Sequence, residues 1–329
     1  YLWEIPKSFR SDMRVPARIY ASEKMLAEIF KDKSLEQLVN LATLPGIEKY
    51  SIVMPDAHEG YGSPIGGVFA TRVSDGIISP GAVGYDINCG VRLLKSNISA
   101  EEIKPRLDAL ATEIQKTVPS GLGKGHLKKL SIAELDKILE NGAQEIIRQG
   151  YGEKEDAQNC EANGKLEWAD ASEVSDTAKN RGRDQVGTLG SGNHFLEIQY
   201  VEHIADEATA QTWGLHKNQV VIMYHGGGGA VSYYMGRYFA NRKKDRNKFR
   251  SRVFQNFGKF LFHFASWEGI RHASERWRYY VNPRPFEAIP ADTFEGKRLM
   301  ASIKASLNYS YAFRLAIVKR VSDALRETF

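Results

Sequence analysis

The chain has 329 residues, 42% hydrophobic and 26% charged, with a formal net charge of +5. That balance describes a soluble globular chain able to bury a substantial core, and its two cysteines are too few for a secreted disulfide scaffold. No apolar run approaches the roughly 18 residues that a membrane span needs, and the opening YLWEIPKSFR does not read as a secretory signal. A reducing, cytoplasmic setting is expected. The first residue is Tyr1, so translation need not have started there.

The predicted elements begin with two helices. Leu26, Ile29 and Phe30 share one face of a helix starting near Ser22, and Leu35, Leu38, Val39 and Ala42 mark a second. YSIVMP (50–55) is a short apolar run ending in proline, which predicts a buried strand followed by a turn carrying Asp56 and His58. Further strands are predicted over 66–73, 76–79 and 90–97. Ser99 with Glu102, and Ser131 with Glu134, are capping boxes that open helical runs. Residues 150–187 turn polar and read as loops with one short helix, Cys160 lying in a surface loop. Strands resume over 194–201 and 218–225. The apolar series Leu299, Ile303, Leu307, Tyr311, Leu315, Val318, Val321 and Leu325 predicts one long amphipathic helix packed on a sheet.

Strands and helices are mixed without regular βαβ alternation, so the fold class is α/β in the broad sense, mixed α+β, with mixed sheets flanked by helices. The expected organisation is one large catalytic domain over 1–329, interrupted by a basic, aromatic helical insertion over 231–282. Within it, residues 237–278 hold twelve lysines and arginines against Asp245, Glu268 and Glu275. Basic side chains interleaved with aromatics suit nucleic-acid contact. A helical hairpin with a solvated basic face reads equally well.

Four short segments carry the chemistry: PDAHEG (55–60), GYDINCG (84–90), GSGNHFLE (190–197) and YHGGGG (224–229). Asp86 and Cys89 are separated by two residues. A thiolate and a carboxylate so close repel unless a cation lies between them, and that cation lowers the thiol pKa. His194 opens a strand and His225 closes one, each beside glycines. Thiol, imidazole and carboxylate together suit zinc, manganese, cobalt or iron better than calcium. Each histidine taken alone reads as well as a hydrogen-bonded structural residue. Residues 226–229 permit close backbone approach and can cradle a phosphate, or they form a flexible turn. Asp56 and His58 either support a ligand or position substrate, or they form an Asx-type turn. Asn193 can donate to a phosphate, and Glu197 can accept from a ribose hydroxyl or a base amine.

Taken in order, these segments resemble the RtcB family of RNA-splicing ligases. The resemblance rests on WEIP (3–6), MRVPARIY (13–20), LPGIEKYSIVMPDAHEGYGSPIGGV (44–68), SPGAVGYDINCGVRL (79–93), VPSGLG (118–123), LGSGNHFLEIQ (189–199) and EGKRLMASIKASLNYSYAFR (295–314). It implies an enzyme that seals RNA 2′,3′-cyclic phosphate or 3′-phosphate ends to 5′-hydroxyl ends, using GTP and manganese. A histidine is guanylylated by GTP, GMP passes to the RNA 3′-phosphate, and the 5′-hydroxyl displaces it. The resemblance makes Asp86, Cys89, His194 and His225 ligands of two manganese ions, Cys89 bridging both. It places Asn193, His194, Phe195, Leu196 and Glu197 in the guanylate pocket, with Asp56 and His58 near the site. It also implies an RNA partner, tRNA foremost, and leaves room for an accessory activator protein.

The chain departs from the family pattern in three places. Gly-Ser-Arg-Gly after the His225 equivalent is replaced by four glycines, residues 231–282 match poorly, and the segment holding the guanylylated histidine has no counterpart. Two further readings follow from these departures: a shortened relative that binds metal or RNA without ligating, and a metal-dependent phosphoesterase.

Overall fold

The computed structural model describes residues 1–60, 62–121, 125, 129–241 and 288–329, with side chains at 238–241 and 295 left aside. The insertion expected over 231–282 therefore lies outside the described residues from 242 onward. The chain divides into two compact units, Tyr1–Tyr85 with Gly236–Met300, and Asp86–Met235 with Ala301–Phe329. Each is described by itself. Among the described residues no helix is long and apolar enough to cross a membrane.

The first unit is built on strands β1 (Leu2–Ile5), β2 (Ala17–Tyr20), β3 (Ser51–His58) and β4 (Ile65–Val68), adjacent in that order. The β2–β3 pair is parallel and its neighbours are antiparallel, so the sheet is mixed as expected. Helices α1 (Glu23–Ile29) and α2 (Ser34–Leu41) form the link that a parallel pair requires. Ser22 caps α1 by accepting from the Met25 amide at 3.3 Å. Ile19 and Val53 from the sheet pack with Leu38 and Leu41 in one apolar cluster. Phe30, expected on the buried face of α1, is exposed, because α1 ends at Ile29 and Phe30 is already its C-cap. A short strand β5 (Ile77–Ile78) pairs with Ile289–Pro290.

Asp56 and His58 do not sit in a turn. Strand β3 runs on through both, and its pairing with β4 shifts register between Val53 and His58. Pro55 has no N–H to give to a ladder, and a break in pairing is where a strand tolerates it.

In the second unit the chain runs β6 (Gly90–Ser99), α3 (Ala100–Ile103), α4 (Leu107–Thr117), α5 (Ile132–Asn141), α6 (Ala143–Arg148), α7 (Lys154–Gln158), α8 (Asp176–Gly182), β7 (Phe195–Tyr200), α9 (Glu207–Trp213), β8 (Gln219–Gly226) and α10 (Gly229–Asn241), the last as far as Met235. Helix α11 (Phe294–Thr328) belongs to this unit from Ala301 onward. Both expected capping boxes are present, at Ser99–Glu102 and Ser131–Glu134. The polar stretch 150–187 holds two α-helices where one was expected. They lack apolar periodicity, and their ends are fixed by caps instead: Glu153 with Asp156 on α7, and Ser175 accepting from Ala178 on α8.

Strands β6, β8 and β7 form an antiparallel sheet with β8 in the middle. Val220, Ile222 and Tyr224 face the core, where they meet α4, α5 and α11. The long helix departs from its expectation. It is amphipathic only near its ends, and every residue from 308 to 317 is buried. It runs through the unit rather than along it. Tyr309, Phe313 and Leu315 are fully buried there, each stabilising the fold by about 1.5–3 kcal/mol.

Candidate metal centre

Cys89 immediately precedes β6, His194 immediately precedes β7, and His225 is the penultimate residue of β8. In the sheet Val91 and Phe195 both pair with His225. Antiparallel pairing thus brings two strand starts and one strand end to a single edge, and with them three donor side chains. Asp86 joins from the turn before β6. Asn88 takes φ 57° there, and the Cys89 amide donates to the Asp86 carbonyl at 3.2 Å.

The donors converge. Cys89 Sγ lies 2.7 Å from His225 Nε2 and 3.4 Å from His194 Nε2. His194 Nε2 lies 2.6 Å from Asp86 Oδ2. Ligand atoms of Asp86, Cys89 and His194 all fall within 4.8 Å of one another. His194 Nδ1 sits 2.7 Å from the Leu189 carbonyl. A carbonyl only accepts, so Nδ1 carries the proton, and Nε2 of a neutral ring presents a lone pair to the Asp86 carboxylate and the Cys89 sulfur. Lone pairs at that distance repel. Either the ring is doubly protonated or a cation belongs among them, and the His194 side chain is only 5% exposed, an unfavourable place for a free imidazolium.

The electrostatics follow the same geometry. The hydrogen bond to Asp86 pushes His194 up, against the effect of burial. Burial pushes Asp86 up, but hydrogen bonds from His194 and Cys89, the His194 charge and the Gly229 amide together hold it below the usual carboxylate range. Burial, then the hydrogen bond and charge of Asp86, push the Cys89 thiol up. Burial, then the charge of His194, push His225 down, which favours the neutral, metal-binding ring. A divalent cation would reverse the thiol's preference and relieve the carboxylate–imidazole contact. The donor set fits such an ion.

The surroundings fix the donors. Asp86 Oδ1 accepts from the Gly229 amide at 3.1 Å. A Cβ on Gly227 would stand 2.6 Å from that same oxygen, so the glycine run lets the chain pass the carboxylate on its way into α10. Arg314 of α11, buried, donates from Nη1 to the Gly226 carbonyl at 3.0 Å and to the Asn88 carbonyl. Ser310 Oγ donates to the Ile87 carbonyl at 2.7 Å. Arg314, Ser310 and Leu189 were missed in the sequence. Only Arg314 left a signal there, as an arginine between Phe313 and Leu315 on an otherwise apolar stretch.

The remaining sequence candidates divide. Phe195 stacks edge-on against His225, with ring centroids 5.6 Å apart. Glu197 lies on the same strand face, exposed, and accepts from Gln199 Nε2 at 2.6 Å. Asn193 is exposed just before β7. Leu196 lies on the opposite face, opposite Tyr224, and packs on the core. Asp56 and His58 belong to the first unit, where His58 Nδ1 contacts the Asp56 carbonyl at 2.8 Å. Cys160 is half-buried rather than a surface thiol: its sulfur takes a hydrogen bond from Arg92 and donates to the Asp156 carbonyl at 3.3 Å.

Comparison with known proteins adds a family. The model of the family described as "tRNA-splicing ligase RtcB" matches residues 37–329. The tRNA-splicing ligase RtcB of Thermococcus kodakarensis is 40% identical over 330 residues, covering 99% of this chain and 62% of the relative. That of Aeropyrum pernix is 40% identical over 332 residues, covering 100% and 63%. The RNA-splicing ligase RtcB homolog 1 of Entamoeba histolytica is 40% identical over 251 residues, covering 72% and 48%. The chain thus spans about three fifths of the length of the archaeal relatives it matches.

Proposed function

The chain belongs to the RtcB family, and from that premise we propose that it forms the metal-binding part of a GTP- and manganese-dependent RNA ligase. The reaction joins an RNA 3′-phosphate or 2′,3′-cyclic phosphate end to a 5′-hydroxyl end. For a 3′-phosphate, GTP is consumed, a 3′,5′-phosphodiester forms, and GMP and pyrophosphate leave. The observation that carries this reading is the convergence of Asp86, Cys89, His194 and His225. Manganese held by these four would polarise phosphoryl oxygens and offset charge building in the transition state.

The chain's own groups orient that site. The Leu189 carbonyl holds the His194 ring so that Nε2 faces Asp86 and Cys89. Arg314 and Ser310 hold the backbone on both sides of Asp86 and Cys89. Asn193 and Glu197 are both exposed beside His194. They are free to reach a guanylate, Asn193 through a phosphate oxygen and Glu197 through a ribose hydroxyl or base amine. The reaction also needs the family's guanylylated histidine, for which none of the motifs above supplies a counterpart. The RNA is tRNA foremost, and the setting cytoplasmic.

The test is metal content and joining together. The manganese-loaded chain should retain metal through gel filtration, and Cys89→Ala should strip it. In a polypeptide that contains these residues and the guanylylated histidine, Cys89→Ala should abolish joining of a 3′-phosphate RNA to a 5′-hydroxyl RNA with GTP. Undiminished metal and undiminished joining in that variant would refute the proposal.

A further inference from the structure

A cavity of about 630 Å³ lies within the second unit, away from any residue of the metal cluster in its lining. Arg183, the C-cap of α8, and Arg320 of α11 both line it. The Nε of each is buried and, among the described residues, has no hydrogen-bond partner. Arg320 donates from Nη1 to the Thr117 carbonyl at 2.8 Å, and among the described residues no carboxylate lies within ion-pair distance of either guanidinium. The two acids lining the cavity are committed elsewhere. Asp184 pairs with Lys129 at 3.2 Å, and Glu134 accepts from the Ser131 amide at 2.7 Å as the capping box of α5. Burial lowers the Arg320 pKa, outweighing the nearby Tyr151 and Asp323, which raise it. The rest of the wall is mixed: Pro119, Leu130, Val186 and the ring of Tyr151 give it an apolar side, while Lys116 pairs with Glu113 and Gln149 donates to Glu145.

Two guanidiniums in one cavity, neither ion-paired among the described residues, favour an anion, and their planar forks match a phosphate. The apolar side of the cavity adds a surface that free phosphate cannot use but a sugar or base can. We propose that this cavity binds a phosphate-bearing ligand of nucleotide size, its phosphate between Arg183 and Arg320 and its base or sugar against Leu130, Val186 and the ring of Tyr151. This goes beyond the metal-dependent ligase reading and does not depend on it, since it uses none of the metal donors. The ligand is a free mononucleotide or one nucleotide of a strand.

Uridine 5′-monophosphate titrated calorimetrically into the manganese-loaded chain tests it. The wild-type chain should bind saturably. Arg183→Gln and Arg320→Gln should each weaken binding at least tenfold, while metal content stays at the wild-type level. Arg183→Lys, which keeps charge but loses the fork, should fall between. Competition by a short oligoribonucleotide as strong as by the mononucleotide assigns the site to a strand, and competition by mononucleotide alone assigns it to free nucleotide. Both outcomes support the cavity. Inorganic phosphate binding as tightly as the mononucleotide would overturn the role of the apolar wall. Unchanged binding in both glutamine variants would overturn the site. Should those variants fail to fold, hydrogen exchange on the wild-type chain decides: no added protection around Leu130 and Val186 with the nucleotide sinks the proposal.

Discussion

Two aspartate–histidine pairs of this chain lie close to glycines, yet their local structures differ. In the first unit Asp56 and His58 lie along one strand, both exposed, and His58 satisfies Nδ1 on its neighbour's carbonyl. In the second unit Asp86 and His194 are 108 residues apart in sequence and in direct contact, with Cys89 and His225 beside them. Residue type is the same in both cases. Convergence is decided by topology, because an antiparallel sheet gathers the ends of strands that are remote in sequence. A motif on a single strand gathers nothing by itself.

That contrast can be broken by substitution. The largest effect is expected at Cys89, whose sulfur contacts both histidines: Cys89→Ala should lower manganese affinity by more than about 100-fold, since even partners outside the ligand set are worth about 10–100-fold. Metal analysis after gel filtration measures it. Next is Gly190→Ala. Gly190 has φ 81°, and a Cβ there would stand 3.0 Å from His194 Nδ1. The added methyl should strain the backbone and turn the ring, lowering affinity by about 10-fold or more without removing a donor. Arg314→Met should leave the Gly226 and Asn88 carbonyls unpaired in a buried place. A loss of about 3 kcal/mol in chemical denaturation is expected, with weaker metal retention. The smallest effect belongs to the other member of the comparison. His58→Ala should change stability by no more than about 0.5 kcal/mol and leave manganese content unaltered. A fall in metal content there would erase the distinction between the two segments.

Much of the fold was legible. Capping boxes at Ser99 and Ser131 are local chemistry, and they appear where the sequence placed them. The strand that follows His194 and the strand that carries His225 were found to within a residue or two, because an apolar run next to glycines is also a local signal. What failed was global. Strand β3 continues past Pro55 because its pairing with β4 breaks register there, and pairing partners cannot be read from one strand. Helix α11 shows an amphipathic pattern in sequence, yet small residues on its second face, Ala305, Ala312 and Ala316, let neighbours close over it. Of the site, the donors were visible as residue types beside glycines. The Leu189 carbonyl was invisible, because a backbone acceptor has no identity in a sequence.

The brace supplied by α11 bears on the order of events at synthesis. Asp86, Cys89, His194 and His225 have all left the ribosome before Ser310 and Arg314 exist, and these two reach back 223 and 226 residues to close on Ile87 and Asn88. Until that helix is in place, the Ile87 and Asn88 carbonyls lack the side-chain donors that brace the turn between Asp86 and Cys89. Firm capture of an ion by the proposed cluster would wait until α11 has emerged and docked, because the contacts that brace the turn are long-range and form late.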